Sequence, residues 1–299
     1  MAATTEARHA RAEGLDGLPP AEILSVLLDG QLGAVESVRK ALPALERAAR
    51  AVADRLRAGG RLVYCGAGSS GLMAMSDGLE LPGTYGIGPD QAPILLAGGA
   101  ESLLLLAGGY EDDVELAARD VEALSLSPDD CMICVSASGS TPYTLRAAEL
   151  GRARGATIIG IANNAGTPLL DGADIAVLIA SPPEAIAGST RMGAGTAQKI
   201  ALNMISTLAA VHLGHVHDGY MVNLRADNIK LRDRARRIVS AISGTDAEGA
   251  GRLLDEAGGS VKIAVLLAAG ADDAPSAGRL LENCNQNLRS ALQKAKAGS

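Results

Sequence analysis

Phenylalanine and tryptophan are absent from this 299-residue chain, and aromatic residues make up only 2% of it. A core is still affordable in apolar mass, because 47% of residues are hydrophobic, but Ala, Leu, Val and Ile must fill it. A basic excess is missing too. The 27 Lys and Arg stand against 34 Asp and Glu, a formal net charge of −7. Binding nucleic-acid backbones requires a basic face, so a general nucleic-acid binder is excluded. No apolar run reaches the roughly 18 residues of a membrane helix. Met1 to Leu15 has charges and no apolar core, unlike a signal peptide. The expectation is a cytoplasmic protein with no membrane partner.

Cysteine and histidine are scarce, at four each. Cys131-x-x-Cys134 has the spacing of a redox or metal pair. It lies, however, inside Cys131–Val135, an apolar run of strand length. Residues three apart on a strand point to opposite faces, a poor geometry for one metal. Cys65, Cys131, Cys134 and Cys284 are therefore expected to be free thiols packed as small hydrophobes. His212, His215 and His217 form His-x-x-His-x-His, with Asp218 as the only acidic neighbour. A metal site is conceivable there, but the segment reads better as an exposed turn before Gly219. No metal or redox cofactor is expected.

What the chain does have is glycine, 36 residues of it, concentrated in turns after short apolar runs. Leu62 to Cys65 reads as a buried strand, followed by Gly66-Ala67-Gly68-Ser69-Ser70-Gly71. Gly66-x-Gly68-x-x-Gly71 also fits the dinucleotide pattern. That pattern calls for an acidic residue about 20 positions on, at the end of a second strand. Glu80 is too near and follows no clear strand. The serines favour a phosphate held by hydroxyls and amides.

Residues 1–20 are polar and read as an arm; 21–243 as an α/β domain; 244–299 as a small helical region. Ala21 to Arg57 is helical by period, with a break before Pro43. Ile23, Leu24, Val26 and Leu27 mark its first apolar face. A helix opening at Leu72 should give way to a loop in the Pro- and Gly-containing stretch that ends at Gly86. Further strands are expected at Pro93–Leu96, Cys131–Val135, Thr157–Ile161 and Ile175–Ile179. Helices are expected at Ser102–Ala107, Val114–Ala123, Thr144–Leu150, Ala194–Leu213 and Arg225–Ile242. Strands alternating with helices imply a parallel sheet flanked by helices. Beyond residue 244 the pattern changes to three short helices: Asp246–Ala257, Ser260–Ala268 and Ala274–Leu292.

A second hydroxyl-rich turn, Ser136-Ala137-Ser138-Gly139-Ser140-Thr141, follows Cys131–Val135. These serines and threonines can cap helices, hold phosphate, or do both in turn. The two loops resemble the phosphosugar-binding loops of sugar isomerase (SIS) domains. Within that class the chain most resembles the N-acetylmuramic acid 6-phosphate etherases. The resemblance is carried by Thr5-Glu6, Gly59 to Gly71, Glu80 with Pro82, Thr84-Tyr85-Gly86, Glu111-Asp112 and Thr141-Pro142-Tyr143. It continues through Gly188-Ser189, Arg191-Met192, Ala194 to Lys199 and Lys230-Leu231, and so covers about the first 230 residues.

The resemblance implies a three-layer SIS-type α/β fold, a homodimer and a sugar-phosphate ligand. It implies elimination of D-lactate from C3 after loss of the C2 proton, then addition of water. Two glutamates would share the acid–base work: Glu111 as C2 base and Glu80 assisting the leaving oxygen. Ser69, Ser70, Ser136, Ser138, Thr141, Glu184, Ser189 and Arg191 would bind substrate and phosphate. Glu184 is a hydroxyl ligand, a ring-opening aid, an isomerisation base or simply a solvated loop residue. Leu72, Ser140 and Gly193 stand where the family usually has cations. Those departures leave two alternatives: a lyase or isomerase on another amino-sugar phosphate, or a non-catalytic sugar-phosphate sensor.

Overall fold

A computed structural model describes residues 4–104, 108–226 and 228–297. Two compact units emerge, Met1–Leu79 with Asp90–Thr207, and Glu80–Pro89 with Leu208–Ser299. In the first unit the strands are β1 (Leu62–Gly66), β2 (Ile94–Leu96), β3 (Cys131–Val135), β4 (Thr157–Ala162) and β5 (Ile175–Leu178). The helices of this half of the chain are α1 (Pro20–Ser37), α2 (Leu42–Arg57), α3 (Gly68–Tyr85) and α4 (Val114–Leu124). They continue with α5 (Pro142–Ala153), α6 (Pro168–Asp171) and α7 (Gly193–His212).

The sheet order is β2-β1-β3-β4-β5, and every pairing is parallel. Tyr64 lies opposite Ile133, and Cys65 opposite Cys134. Both faces are covered, which is why β1 and β3 read as unbroken apolar runs. One face buries Val63, Cys65, Met132, Cys134 and Ile158 with Ala117, Val121, Tyr143 and Leu169 of α4, α5 and α6. On the other face Tyr64 donates to Asp77 of α3, and Asn203 and Ser206 of α7 donate to the same carboxylate. α2 packs against β1, β3 and β5. This is the expected three-layer α/β architecture. The sheet direction turns between β1 and β3, and ligand sites of open parallel sheets lie beyond the strand ends at such a point.

Helix α3 differs from the expectation at both ends. It starts at Gly68, so Ser69 and Ser70 belong to its first turn, and it continues through Pro82 to Tyr85. A glycine at 66 and one at 71 allow it to start so close to the sheet. A Cβ on Gly66 would lie 2.9 Å from the Gly71 Cα. At the far end Leu81 is buried and the Asn223 amide donates to the Tyr85 carbonyl at 2.8 Å. That contact supplies the last turn with a partner despite Pro82, whose ring removes one backbone donor.

The break before Pro43 is real: a 3-10 turn, Val38–Ala41, separates α1 from α2. On α1, Val26 is buried but Leu24 is not. Leu24, Leu28 and Leu32 are 66%, 59% and 57% exposed. The polar N-terminal stretch is tied down rather than free: Thr5 is buried and exchanges hydrogen bonds with Asn164 at 3.3 and 3.0 Å. The Ser102–Ala107 helix is a 3-10 turn over Ala100–Leu104, and its last three positions lie outside the described residues.

The second unit contains a two-stranded hairpin, β6 (Val216–His217) with β7 (Tyr220–Met221), and helices α8 (Ile229–Ser243), α9 (Ala247–Glu256), α10 (Val261–Ala268), α11 (Ala274–Glu282) and α12 (Leu288–Ala297). Asn228, Asp246, Ser260 and Asp273 cap α8 to α11, each accepting a backbone N–H of the first turn. Four helices follow α8 where three were expected, since Ala274–Leu292 is broken at Asn285 and Gln286. Both of these have positive φ, 52° and 62°. Val222, Ile238, Val239, Ala264, Leu266 and Ala277 form this unit's core.

Candidate functional site

Two turns meet beyond β1 and β3. After β3, the Ser136 hydroxyl lies 3.2 Å from that of Ser138 and 2.8 Å from that of Thr141. It also accepts the Gly139 N–H at 3.0 Å. Ser140, which is exposed, donates to Ser138 at 3.1 Å. Ser70 reaches across from α3, its oxygen accepting the Ala137 N–H at 3.3 Å. Ser69 is half-buried in the first turn of α3. Thus Ser70, Ser136, Ser138 and Thr141 are brought together, with the amino ends of α3 and α5 on either side. In this structure the hydroxyls satisfy one another. An anion with several acceptor oxygens can take over those donors, and two helix dipoles favour its charge.

Glu111 lies at the same helix end. Gly68, the first residue of α3, has φ 49°, and a Cβ there would collide with the Glu111 carboxylate. Glu111 comes from the 3-10 turn Gly108–Asp112, and it is half-buried. Burial, and secondarily the neighbouring Asp112 charge, raise its pKa above the usual carboxylate value. A raised value makes the ionised form a stronger base at the pH where it operates. Glu80 is elsewhere on α3, exposed in its fourth turn.

Glu184 is not a solvated loop residue. It is 5% exposed, and its two oxygens accept the N–H groups of Gly193 at 2.9 Å and Ala194 at 2.8 Å. This carboxylate caps α7 in this structure, a contact that the sequence reading of Glu184 as a substrate ligand did not include. The sequence carried no sign of it, because the amides lie nine and ten residues downstream. The same contact explains Gly193. A Cβ there would lie 3.0 Å from that of Ala34 and 3.1 Å from the Glu184 carboxylate. Ser189 and Arg191 sit in the loop before α7, half-buried and exposed respectively. Backbone pairing of Gly188 with Thr5, at 3.0 Å, holds that loop to the N-terminal segment.

Asp77 escaped sequence reasoning. It is 5% exposed and accepts from Tyr64, Asn203 and Ser206 at 2.5, 2.5 and 3.1 Å. Its one signal was position: it falls on the face of α3 shared with buried Ala74 and Leu81, where a carboxylate must be partnered.

The three histidines do not form an exposed turn. His217 is 8% exposed, and His215 is mostly buried, which pushes its pKa down to about 4. His212 ends α7, and His217 lies in β6 with His215 just before it. No group of three or more His, Cys, Asp or Glu is placed to hold a metal ion among the described residues. The four cysteines are free and buried.

Hydroxyl-lined turns at the ends of adjacent parallel strands, with helix amino ends beside them, define a SIS-domain protein. Residues 33–163 match the SIS domain model. A crystal structure described as a phosphosugar isomerase involved in capsule formation, from Bacteroides fragilis, shares the fold. Its TM-score is 0.51 at 20% identity, over 69% of this chain and 98% of that one. More narrowly, the chain belongs to the N-acetylmuramic acid 6-phosphate etherase family. It is 48% identical to the Deinococcus radiodurans member over 88% of this chain and 86% of that protein. It is 43% identical to the Streptomyces avermitilis member over 98% and 94% of the two chains.

Proposed function

We propose that this chain cleaves the D-lactyl ether of N-acetylmuramic acid 6-phosphate, giving N-acetylglucosamine 6-phosphate and D-lactate. The kinship carries the substrate. The observation that carries the chemistry is the Glu111 carboxyl at the amino end of α3, its pKa raised, beside the hydroxyl turns. The 6-phosphate sits among Ser69, Ser70, Ser136, Ser138 and Thr141, with Arg191 and Ser189 on the neighbouring loop supplying further contacts. In the ring-opened sugar the C1 carbonyl acidifies the C2 proton. Glu111 takes that proton, and the electron pair forms the enolate. Collapse of the enolate breaks the C3–O bond while Glu80 gives the leaving oxygen a proton. Water then adds to C3, its proton returning to Glu80, and Glu111 reprotonates C2.

The two glutamates come from two chains in this reading. Glu80 stands twelve residues beyond Gly68 on one helix, about 18 Å along its axis. A single sugar cannot span that distance to Glu111 at the helix start. A two-fold dimer places the same patch of each partner against the other, so Glu80 of one chain serves the Glu111 site of its partner. The exposed stripe on α1, Leu24, Leu28, Leu32 and Val35, supports such an interface. On the strength of the kinship we place the activity in the cytoplasm, in peptidoglycan recycling.

Incubation with N-acetylmuramic acid 6-phosphate in deuterated water tests the reaction. Lactate release with deuterium at C2, lost in Glu111→Gln, is the expected result. Deuterium exchange without lactate would point to an isomerase or another leaving group. Tight binding with neither exchange nor lactate would replace the etherase by a sensor.

A further inference from the structure

We infer that the second unit carries a separate site for a phosphomonoester, in the groove between the β6–β7 hairpin and α8. The protein as a whole is acidic, yet α8 begins with Lys230, Arg232, Arg234, Arg236 and Arg237 against one carboxylate, Asp233. Asp233 is taken by Arg236, at 3.4 Å. Arg234 and Arg237 form no ion pair among the described residues. Arg234 is half-buried and makes one side-chain hydrogen bond among the described residues, Nη1 to the Met221 sulfur at 3.8 Å. Arg237 makes one as well, Nε donating to the Asp233 carbonyl at 3.4 Å.

Arg234 and Arg237 line a groove of about 520 Å³ together with Gly219, Tyr220, Met221, Ile238 and Ala241. Roughly 300–1,000 Å³ is the size range of small-molecule sites. No carboxylate lines it. Arg237 also borders a neighbouring groove that holds Asp233, Glu248 and Asp255. Asp218, at the hairpin turn, is bonded to Arg289 and lies 3.5 Å from His217, while Glu248 on α9 pairs with Arg252 at 2.5 Å.

A half-buried guanidinium with most of its donors unused is an unusual thing for a fold to keep. The exposed Arg237, three residues on, lies beside it on the same helix face. Their forked donors match a doubly charged tetrahedral anion far better than a single carboxylate. The apolar wall and the 40% exposed Tyr220 ring beside them suit the carbon skeleton of a sugar. The site lies wholly within the second unit and shares no residue with the turns at the sheet ends, so it stands whether or not the etherase reading does.

Calorimetric titration of the full chain with N-acetylglucosamine 6-phosphate is the test. Two binding events per chain are expected. Arg237→Gln, at an exposed position that folding tolerates, weakens one of them at least tenfold, and Arg234→Gln does the same. Ser138→Ala weakens the other. Unphosphorylated N-acetylglucosamine gives no event at the arginine site. A single event in the unaltered chain that persists in the Arg234→Gln/Arg237→Gln double variant would overturn the inference. So would a second event that survives in the Arg234→Gln/Arg237→Gln double variant.

Discussion

Glu111 and Asp112 are adjacent, and their charges bear on each other. The Glu111 carboxyl is raised by burial first and by the Asp112 charge second. A general base works only when ionised, so the rate falls as pH drops through its pKa, and a raised pKa moves that acid limb upward. Asp112→Asn removes the like charge and leaves the burial. The acid limb of kcat/KM against pH should therefore move to lower pH in this variant without disappearing. A limb that stays in place would mean the limb reports a group other than Glu111. The pairing of these two carboxyls was legible in the sequence as Glu111-Asp112, whereas the close approach of Glu111 to Gly68 was not. That contact joins residues 43 apart in sequence, through the sheet connection that returns the chain to the end of β1.

At the level of elements, strands were easier to read than helices. β1 and β3 announce themselves because burial on both faces leaves no polar residue between Leu62 and Cys65 or between Cys131 and Val135. α3 misleads because its support is remote. Asp77 is partnered by side chains of β1 and α7, and Tyr85 by Asn223, none of which local propensity reveals. α7 was legible as a helix, but its cap was not. It begins at Gly193 with no side-chain cap of its own in sequence, and Glu184 supplies one from the preceding loop. A charged acceptor on two backbone amides contributes about 1.5–3 kcal/mol. Glu184→Ala should lower stability by about 2 kcal/mol, read as a lower urea midpoint at unchanged slope. Glu184→Gln, which keeps one acceptor oxygen but not the charge, should lose less. An Ala variant within about 0.5 kcal/mol of the parent, the range of ordinary surface substitutions, would remove the capping role.

On the scale of the whole molecule, the proposed dimer accounts both for the exposed leucines of α1 and for the distance between the two glutamates. Leu24, Leu28 and Leu32 recur every fourth residue, with Val35 a further three on, so they form a single apolar stripe. The sequence showed the apolar period of α1 but not which face was left bare. That depends on Val26 packing with Leu15 and Ala185 in the folded unit. If the stripe seats a second copy, a charge there should separate the chains, and Leu28→Glu should yield monomers without activity. The stronger test mixes two dead proteins. Glu80→Gln keeps Glu111, and Glu111→Gln keeps Glu80, so each mixed dimer has one site with both glutamates and one with neither. Half of the dimers in an equal, fully exchanged mixture are mixed, so activity should return to about a quarter of the unaltered protein's. A site built from one chain alone gives no such recovery, because neither variant then contains both groups. Recovery that scales with the product of the two concentrations, and that Leu28→Glu in either partner abolishes, would tie the α1 stripe to the chemistry.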